Sequence, residues 1–175
     1  MIFRRCGYLI RPARRGDLHL LPKIEVTAAT RFAPFGLGDT ILSSHLPLEL
    51  LDHRQHEGRL WVAANRKDKA VGFATVSIVD GAGHLDELSV LPRYGRRGIG
   101  SQLVAKVCAW AEAYSMRAVT LSTFLEVPWN APFYERLSFR ILAPTELTRG
   151  LQLMRDAEAR AGLPIDRRVF MKREV

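Results

Sequence analysis

The stretch HLDELSVLPRYGRRGIGSQL, His84–Leu103, decides how the rest of the chain is interpreted. An alternating run that ends before Pro92 predicts a strand, and apolar residues at every fourth position from Ile99 predict a helix. Between them, Arg93–Gly100 contains three glycines and three arginines. Glycine lets a backbone approach a ligand closely, and a helix N-terminus offers N–H groups without partners and a partial positive charge. This order predicts a site for phosphate or pyrophosphate, against the alternative of a surface turn with solvated arginines.

Length and composition predict a single globular domain over residues 1–175. Of the 175 residues, 47% are hydrophobic and 25% are charged, which is ordinary for a domain with one core. No apolar run approaches the ~20 residues that span a bilayer. Arginines interrupt the N-terminal MIFRRCGYLIRP, which argues against a signal peptide or a membrane anchor. Cys6 and Cys108 have no motif spacing, so we expect reduced thiols and a cytoplasmic protein.

The formal net charge of +8 admits an anionic partner. A nucleic acid and a phosphorylated cofactor both satisfy this condition. The arginines are spread along the whole chain and form no basic block, so most of them are interpreted as solvated surface. The charge pattern therefore argues against nucleic acid as the main partner.

The other segments predict an α/β domain with a mixed sheet. Asp17 can cap the first predicted helix, and Pro22 predicts a kink or a later start in it. The segment from residue 33 to residue 40 is expected to be a loop. The predicted strands are Tyr8–Ala13, Leu60–Asn65, Val71–Val79, His84–Leu91, Ala118–Thr123, Phe139–Leu142 and Arg168–Lys172. The predicted helices are Leu18–Phe32, Pro47–Glu57, Ile99–Ser115, Asn130–Leu137 and, despite its glycine, Glu146–Ala161.

Two motifs together resemble the GNAT superfamily of N-acetyltransferases. LSVLPRYGRRGIGSQL, Leu88–Leu103, is similar to the family's loop for the acyl-CoA pyrophosphate, and WNAPFYERLSF, Trp129–Phe139, is similar to its segment near the thioester. The likeness covers most of the chain from Tyr8 to Phe139. It implies a GNAT-type α/β fold, with a central mixed, mostly antiparallel sheet of about seven strands flanked by helices and splayed at the cofactor site. It also implies an acetyl-CoA-dependent N-acetyltransferase that works by direct attack in a ternary complex.

The resemblance implies acetyl-CoA (coenzyme A) as the co-substrate. The backbone N–H of Val90 would face the thioester carbonyl and stabilise the oxyanion. Gly95 stands where the family usually has Arg or Gln, which leaves the phosphate contacts of the arginines open. The residues expected to bind the cofactor are Leu88, Ser89, Val90, Gly95, Arg96, Arg97, Gly98, Ile99, Gly100, Ser101 and Asn130. No metal is expected, because His53, His56 and Glu57 lack both the HExxH pattern and a third spaced ligand.

Tyr134 is the strongest catalytic candidate, because the resemblance places it near the leaving sulfur. The alternative is a packing tyrosine on a short helix. Asn130 either caps that helix or contacts the pantetheine amide. Deprotonation of the acceptor amine needs a base or a water relay, and the predicted candidates are Asp86 and His84, slightly ahead of Glu87. For each of these three, a solvated or structural polar residue is the alternative.

The acceptor is expected to be a small-molecule amine or an amine of a peptide or protein. Glu25, Phe32, Phe35 and Trp129 are candidates for an aromatic and acidic wall around a cationic amine, against the alternative of core aromatics and a surface acid. The family often dimerises, which makes a homodimer a possible assembly. Two other functions stay open at this point: a non-catalytic acyl-CoA sensor and a basic module associated with ribosomes or nucleic acid.

Overall fold

The computed structural model describes residues 7–38, 41 and 45–175, and its central element is a β-sheet. The strands are β1 (Leu9–Pro12), β2 (Leu60–Ala64), β3 (Ala70–Val79), β4 (Ala82–Val90), β5 (Ala118–Phe124), β6 (Arg140–Ile141) and β7 (Arg168–Glu174). They form one seven-stranded sheet in the order β1-β2-β3-β4-β5-β7-β6.

The pairing of the strands confirms the predicted mixed, mostly antiparallel sheet. β1 with β2 and β2 with β3 are antiparallel, as are β5 with β7 and β6 with β7. β4 and β5 are parallel, with Gly83–Leu85 opposite Val119–Leu121. Asp80 and Gly81 connect β3 to β4, and their φ angles of 49° and 78° are those of the two-residue turn that suits a twisted hairpin.

The described residues also form five α-helices. They are α1 (Leu21–Ala29), α2 (Leu48–His56), α3 (Ile99–Ala113), α4 (Ala131–Glu135) and α5 (Arg149–Arg160). In α3, Ile99, Leu103, Val107 and Ala111 are all buried, so the four-residue spacing marks the inner face as predicted. Among the residues described, no helix combines the length and the apolar character needed to cross a bilayer.

The predicted helix Leu18–Phe32 is wrong as one continuous element. The structure has a 3₁₀ helix at Arg15–Leu20, then α1, then a second 3₁₀ helix at Thr30–Phe35. Pro22 lies in the first turn of α1, where the backbone N–H that proline lacks would have no partner within the helix. The α-helix therefore starts later than Leu18, which is one of the two outcomes predicted from Pro22.

Asp17 is not the N-cap of a helix that starts at Leu18, because it is the third residue of the 3₁₀ helix Arg15–Leu20, whose N-cap is Arg14. It accepts hydrogen bonds from the backbone N–H of Arg14 and from the guanidinium of Arg11, both at 2.7 Å. The segment from residue 33 to residue 40 was expected to be a loop, yet the second 3₁₀ helix continues to Phe35, and residues 39 and 40 lie outside the described residues.

Two predicted helices are longer than the observed ones. α4 covers Ala131–Glu135 only, and α5 begins at Arg149 because Pro144–Glu146 forms a separate 3₁₀ turn. In that turn the Glu146 carboxylate accepts the backbone N–H of Ala143 at 2.8 Å, as in a local cap.

The contacts of the chain divide it into two compact units. Leaving aside the residues outside the described set, unit 1 comprises Met1–Val76 with Glu87–Lys106, and unit 2 comprises Ser77–Asp86 with Val107–Val175. Unit 1 has an apolar cluster built from α1, α2, β2 and β3: Leu21, Ile24, Leu51, Leu60, Val62 and Phe73. Unit 2 has a smaller cluster: Leu142, Leu151 and Phe170. A single domain over residues 1–175 stays a prediction.

A β-bulge in unit 1 fixes the end of β4. The register between β2 and β3 shifts so that Ala63 faces Gly72 while Ala64 faces Ala70, which leaves Val71 as the extra residue. The carbonyl oxygen of Val71 accepts the backbone N–H of Leu91 at 2.9 Å, beyond the last residue of β4. The bulge therefore ties β3 to the start of the glycine-rich loop.

The adjacent residue must be glycine for steric reasons. A Cβ at position 72 would lie 2.8 Å from the backbone carbonyl oxygen of Ser89 and 3.2 Å from the Cα of Val90. Both atoms belong to the backbone of β4, so neither can rotate out of the way.

We predict that Gly72→Ala destabilises the protein, because the added methyl forces the end of β4 away from β3. Overpacking of this kind costs about 1–3 kcal/mol, which for a chain of this size corresponds to roughly 2–4 °C of Tm per kcal/mol. Thermal unfolding followed by circular dichroism measures the change. The matched control is Gly16→Ala, whose Cβ would have no heavy atom within 4 Å. Equal Tm values for both variants and the unmodified protein would contradict the steric argument.

Candidate active site

The loop between β4 and α3 turns back on itself through two left-handed residues. Arg96 has φ 57° and Gly98 has φ 73°. Glycine adopts this conformation freely, but for Arg96 it costs about 1–2 kcal/mol. Strain of this kind is concentrated at ligand sites. The loop leads directly into Ile99, the first residue of α3, so its backbone N–H groups and those of the first helical turn lie next to one another along the chain.

An aromatic ring holds two of the loop's arginines. The guanidinium carbons of Arg93 and Arg97 lie 5.1 and 5.6 Å from the centroid of the Tyr94 ring, within the range of cation–π contact. Tyr8, just before β1, meets the Tyr94 ring edge to face at 5.9 Å, and its hydroxyl oxygen accepts a hydrogen bond from Arg97 at 2.7 Å. The positions of both cations are therefore restricted before any ligand arrives.

A third positive group acts on the same loop. Burial, and then the charge of Arg96, lower the pKa of Arg31 from its ordinary value. The two guanidinium groups are therefore close enough to repel each other. An anion relieves such repulsion, so the charges and the backbone of this loop fit a diphosphate group.

The predicted cofactor residues of unit 1 form two runs along the chain, Leu88–Val90 and Gly95–Ser101. Ser89 is buried near the end of β4, and Leu88 and Val90 beside it are half-buried. Arg96, Arg97 and Gly98 are exposed, Gly95 is half-buried, and Ile99 is buried at the start of α3. Gly100 and Ser101 follow in the first turn of that helix.

His84 lies inside unit 2, with only 2% of its surface exposed. Its Nδ1 and the Oγ1 of Thr120 on β5 are hydrogen-bonded at 2.8 Å, and its ring lies 6.4 Å from that of Phe170. Burial, followed by the positive charge of Arg168, lowers the pKa of His84 to about 4. The imidazole is therefore neutral at physiological pH and is enclosed by protein.

The two carboxylates of β4 have different surroundings. In unit 2, Asp86 accepts a hydrogen bond from the hydroxyl of Ser77 on β3 at 2.7 Å. In unit 1, Glu87 accepts one from the hydroxyl of Ser89 at 2.7 Å, which puts these two side chains on the same face of β4, as strand alternation requires.

Glu25 is a buried carboxyl group in α1 and is only 8% exposed. Both of its carboxylate oxygens lie within hydrogen-bond range of the backbone N–H of Leu46, at 3.1 and 3.3 Å. Phe32 and Phe35, the predicted aromatic wall, are half-buried in the 3₁₀ helix that follows α1 in unit 1. Trp129, the third predicted aromatic residue, is half-buried in unit 2.

Tyr134 lies in α4 of unit 2, and 8% of its surface is exposed. Its ring packs edge to face against Phe133 at 5.0 Å and Phe139 at 5.7 Å. Asn130 precedes the helix, but its side chain does not cap it, which corrects one of the two readings of this residue. Its Oδ1 instead accepts the backbone N–H of Phe124 at 3.3 Å, which joins the end of β5 to α4.

Comparison with known families gives this geometry a context. Residues 28–139 match the sequence profile of the acetyltransferase (GNAT) family, which is more than half of the chain. The chain belongs to the acetyltransferase (GNAT) family. Membership confirms the predicted family and enzyme class, an acyltransferase that depends on acetyl-CoA.

Solved GNAT structures have the same fold. The PaiA N-acetyltransferase from Thermoplasma acidophilum, in complex with coenzyme A, superposes with a TM-score of 0.71 at 14% identity, over 96% of this chain and 99% of that one. Ard1 from Thermoplasma volcanium gives 0.66 at 20% identity, over 97% and 98%. The ribosomal-protein-S18-alanine N-acetyltransferase from Escherichia coli gives 0.66 at 17% identity, over 96% and 94%. At these identities the similarity establishes the GNAT fold and leaves the substrate open.

Sequence reasoning missed the side chains that support this GNAT loop. Tyr8 and Arg97 are 89 positions apart, and no spacing pattern connects them. Arg31 lay within the predicted helix Leu18–Phe32, and no local pattern singled it out. Within residues 7–38, 41 and 45–175, no group of three or more His, Cys, Asp and Glu side chains is arranged to hold a metal ion; metal independence stays a prediction.

We predict that His84 stays neutral down to about pH 4, because its folded pKa is about 4. The ordinary pKa is near ~6.5, so the unfolded state binds more protons between these values, and stability is lost as the pH falls from about 6.5 to about 4. The imidazole nitrogens can be followed by ¹⁵N NMR during a pH titration. In His84→Gln, which does not titrate, that part of the acid destabilisation should disappear. An imidazole of residue 84 that titrates near pH 6.5 would contradict the burial argument.

Proposed function

We propose that this GNAT protein transfers the acetyl group of acetyl-CoA to a primary amine by direct attack in a ternary complex. The observation that carries this proposal is the loop at the start of α3, where strained backbone and paired arginines meet inside the segment that matches the family. The coenzyme A in the PaiA structure supports the same co-substrate.

The proposed cofactor contacts are mainly with the backbone. The N–H groups from Arg96 to Ser101 would bind the diphosphate, and Arg93 and Arg97, held on Tyr94, would neutralise its charge. This accounts for Gly95 where the family usually has Arg or Gln: neighbouring arginines supply the charge. The thioester provides the activated acyl group, and the N–H of Val90 is the proposed donor to its carbonyl oxygen.

A covalent enzyme intermediate is not part of the proposal. Burial raises the pKa of the Cys108 thiol, against the smaller opposite effect of Arg173, so this residue is a poor thiolate nucleophile. Cys6 lies outside the described residues. Direct attack by the amine needs no such nucleophile.

Tyr134 is the proposed partner of the departing sulfur. A thiol titrates near ~8.5 and a phenol near ~10, so complete proton transfer from phenol to thiolate is uphill by about 2 kcal/mol. A hydrogen bond from the phenol to the developing thiolate, with late or incomplete transfer, therefore suits the reaction better. The aromatic contacts of Tyr134 hold the ring in one orientation, which supports this role.

The acceptor class is a primary amine, on a small molecule, a peptide or a protein. The Escherichia coli relative acts, by its name, on an alanine of ribosomal protein S18. A screen of small polyamines, amino acids, aminoglycosides, peptide N-termini and lysine peptides with acetyl-CoA, monitored by release of free thiol, identifies the acceptor. Release of free thiol that does not depend on any added amine would favour a hydrolase. No release of thiol with any amine would favour an acyl-CoA sensor.

We predict that the protein binds acetyl-CoA with a Kd in the micromolar range, on the order of 1–100 µM, and that Gly98→Glu abolishes binding. The added carboxylate would repel the diphosphate and occupy its space. Isothermal titration calorimetry measures both.

The matched control for this variant is Gly58→Glu. Gly58 also has a left-handed φ, 70° against 73° for Gly98, and a Cβ there would meet nothing within 4 Å, so the control carries the same backbone strain and charge outside the loop. Absence of binding by the unmodified protein at millimolar acetyl-CoA would overturn the proposed function. Equal binding by both variants would move the cofactor away from this loop.

We predict that Tyr134→Phe lowers kcat while KM for acetyl-CoA changes little, because the lost hydrogen bond acts on the leaving group in the transition state. A fall of about 10²-fold is the lower end for a positioned proton donor. Tyr114→Phe is the control, since Tyr114 is 66% exposed. Unchanged kcat in Tyr134→Phe would remove this residue from the mechanism.

A further inference from the structure

Tyr8 joins the first strand of unit 1 to the loop that precedes α3. It comes directly before β1, whose first residue, Leu9, lies opposite Ala64 of β2. β1, β2 and β3 are antiparallel neighbours, and a two-residue turn connects β3 to β4. The start of β1 and the end of β4 therefore lie at the same end of the sheet. This brings Tyr8 to Arg97, although the two residues are 89 positions apart.

Two contacts of different kinds fix Tyr8 against the loop. Its hydroxyl oxygen accepts a hydrogen bond from Nη1 of Arg97 at 2.7 Å. Its ring meets the ring of Tyr94 edge to face, with the centroids 5.9 Å apart and the planes at 88°. The guanidinium carbon of Arg97 lies 5.6 Å from the centroid of that same Tyr94 ring. One hydroxyl and one aromatic face thus hold Arg97, and the two tyrosines that supply them contact each other.

Both groups that hold Arg97 are uncharged, which distinguishes it from arginines elsewhere in the chain. Arg168 donates two hydrogen bonds to the carboxylate of Glu158, at 2.9 and 2.8 Å. Arg140 is paired with the Glu146 carboxylate in the same way, at 3.0 and 2.8 Å. Across the part of the chain that the structure describes, no carboxylate pairs with exposed Arg97. A neutral hydroxyl fixes the guanidinium without cancelling its charge, so the charge stays available to an anion.

Fixing an arginine in advance raises its affinity for an anion. The arginine side chain has several rotatable bonds, and a binding event that orders it loses affinity to that ordering. A side chain that is already held loses less. The hydroxyl of Tyr8 therefore strengthens anion binding at Arg97 without itself contacting the anion.

We propose that Tyr8 is a positioning residue for the coenzyme: its hydroxyl holds Arg97 ready for a phosphate group of acetyl-CoA, and its ring supports Tyr94, which carries Arg93 and Arg97. This inference rests on the proposed function. Tyr8 lies outside residues 28–139, which match the family profile, so the family match assigns it no role.

This role separates cofactor binding from chemistry. The phosphate groups of acetyl-CoA do not change during acyl transfer, so a contact with them is equally strong in the ground state and in the transition state. Loss of the Tyr8 hydroxyl should therefore raise the Kd and the KM for acetyl-CoA and leave kcat almost unchanged. Tyr8→Phe keeps the ring that packs against Tyr94 and removes only the acceptor of the hydrogen bond.

The first test is a double-mutant cycle on the Kd for acetyl-CoA, measured by isothermal titration calorimetry. Tyr8→Phe should raise the Kd about 3- to 10-fold, and Arg97→Gln should raise it about 10-fold or more. In the Arg97→Gln background the further change Tyr8→Phe should matter less than about twofold, because its effect passes through Arg97. The matched control is Tyr114→Phe, which removes the hydroxyl of an exposed tyrosine. Equal Kd values for Tyr8→Phe and the unmodified protein, or additive effects in the double variant, overturn the proposal.

The second test compares three thioesters as acetyl donors to the best acceptor from the amine screen. Acetyl-CoA carries the diphosphate and the 3′-phosphate, 3′-dephospho-acetyl-CoA carries the diphosphate only, and S-acetylpantetheine carries no phosphate. Tyr8→Phe should lower kcat/KM for acetyl-CoA about 3- to 10-fold through KM, and for S-acetylpantetheine less than about twofold. An equal loss with S-acetylpantetheine overturns the proposal, because the hydroxyl would then serve the fold alone.

The donor that lacks only the 3′-phosphate shows which phosphate Arg97 meets. A loss that persists with 3′-dephospho-acetyl-CoA supports a contact with the diphosphate, and a loss that disappears supports a contact with the 3′-phosphate. Failure of the proposed function has a different signature, since the unmodified protein would then not bind acetyl-CoA at all.

Discussion

The structure of unit 1 depends on the backbone of the loop from Gly95 to Gly100. Arg96 and Gly98 have left-handed φ angles just before the N-terminus of α3, and the strain at Arg96 persists only where the surrounding structure or a ligand requires that shape. The bulge at Val71 holds the residue that follows β4, and Tyr94 restricts the arginines on the loop. Each of these features restricts the same short segment, which is how a protein prepares an anion site in advance.

Burial has opposite consequences for two ionisable side chains that the sequence singled out, His84 as a possible base and Glu25 as part of the wall of the acceptor pocket. Removal from water favours the neutral form of each group, so it lowers the pKa of His84 and raises that of Glu25. His84 is therefore a neutral, buried residue of unit 2, and its imidazole is hydrogen-bonded to Thr120. The glutamate becomes a much stronger base than an exposed carboxylate.

Local patterns predicted the elements, and tertiary contacts decided the rest. The strands β3 and β4, the glycine-rich turn and the four-residue period of α3 all appear where the sequence placed them, but β3 is buried from Ala70 to Val76 and does not alternate. Pro22 predicted the late start of α1, but no local sequence pattern predicted the two 3₁₀ helices that flank it. Contacts between distant residues, such as Tyr8 with Arg97 or Glu25 with the backbone of Leu46, require the fold before they can be seen. For this reason Glu25 could be recognised as a candidate for the pocket wall from its position, but its burial and raised pKa could not.

The most direct test of this account is a crystal structure of the protein soaked with acetyl-CoA. The account predicts that diphosphate oxygens lie about 3 Å from backbone nitrogens between Arg96 and Ser101, with the guanidinium groups of Arg93 and Arg97 beside them. A cofactor bound elsewhere on the chain, with those backbone N–H groups still facing solvent, would contradict it.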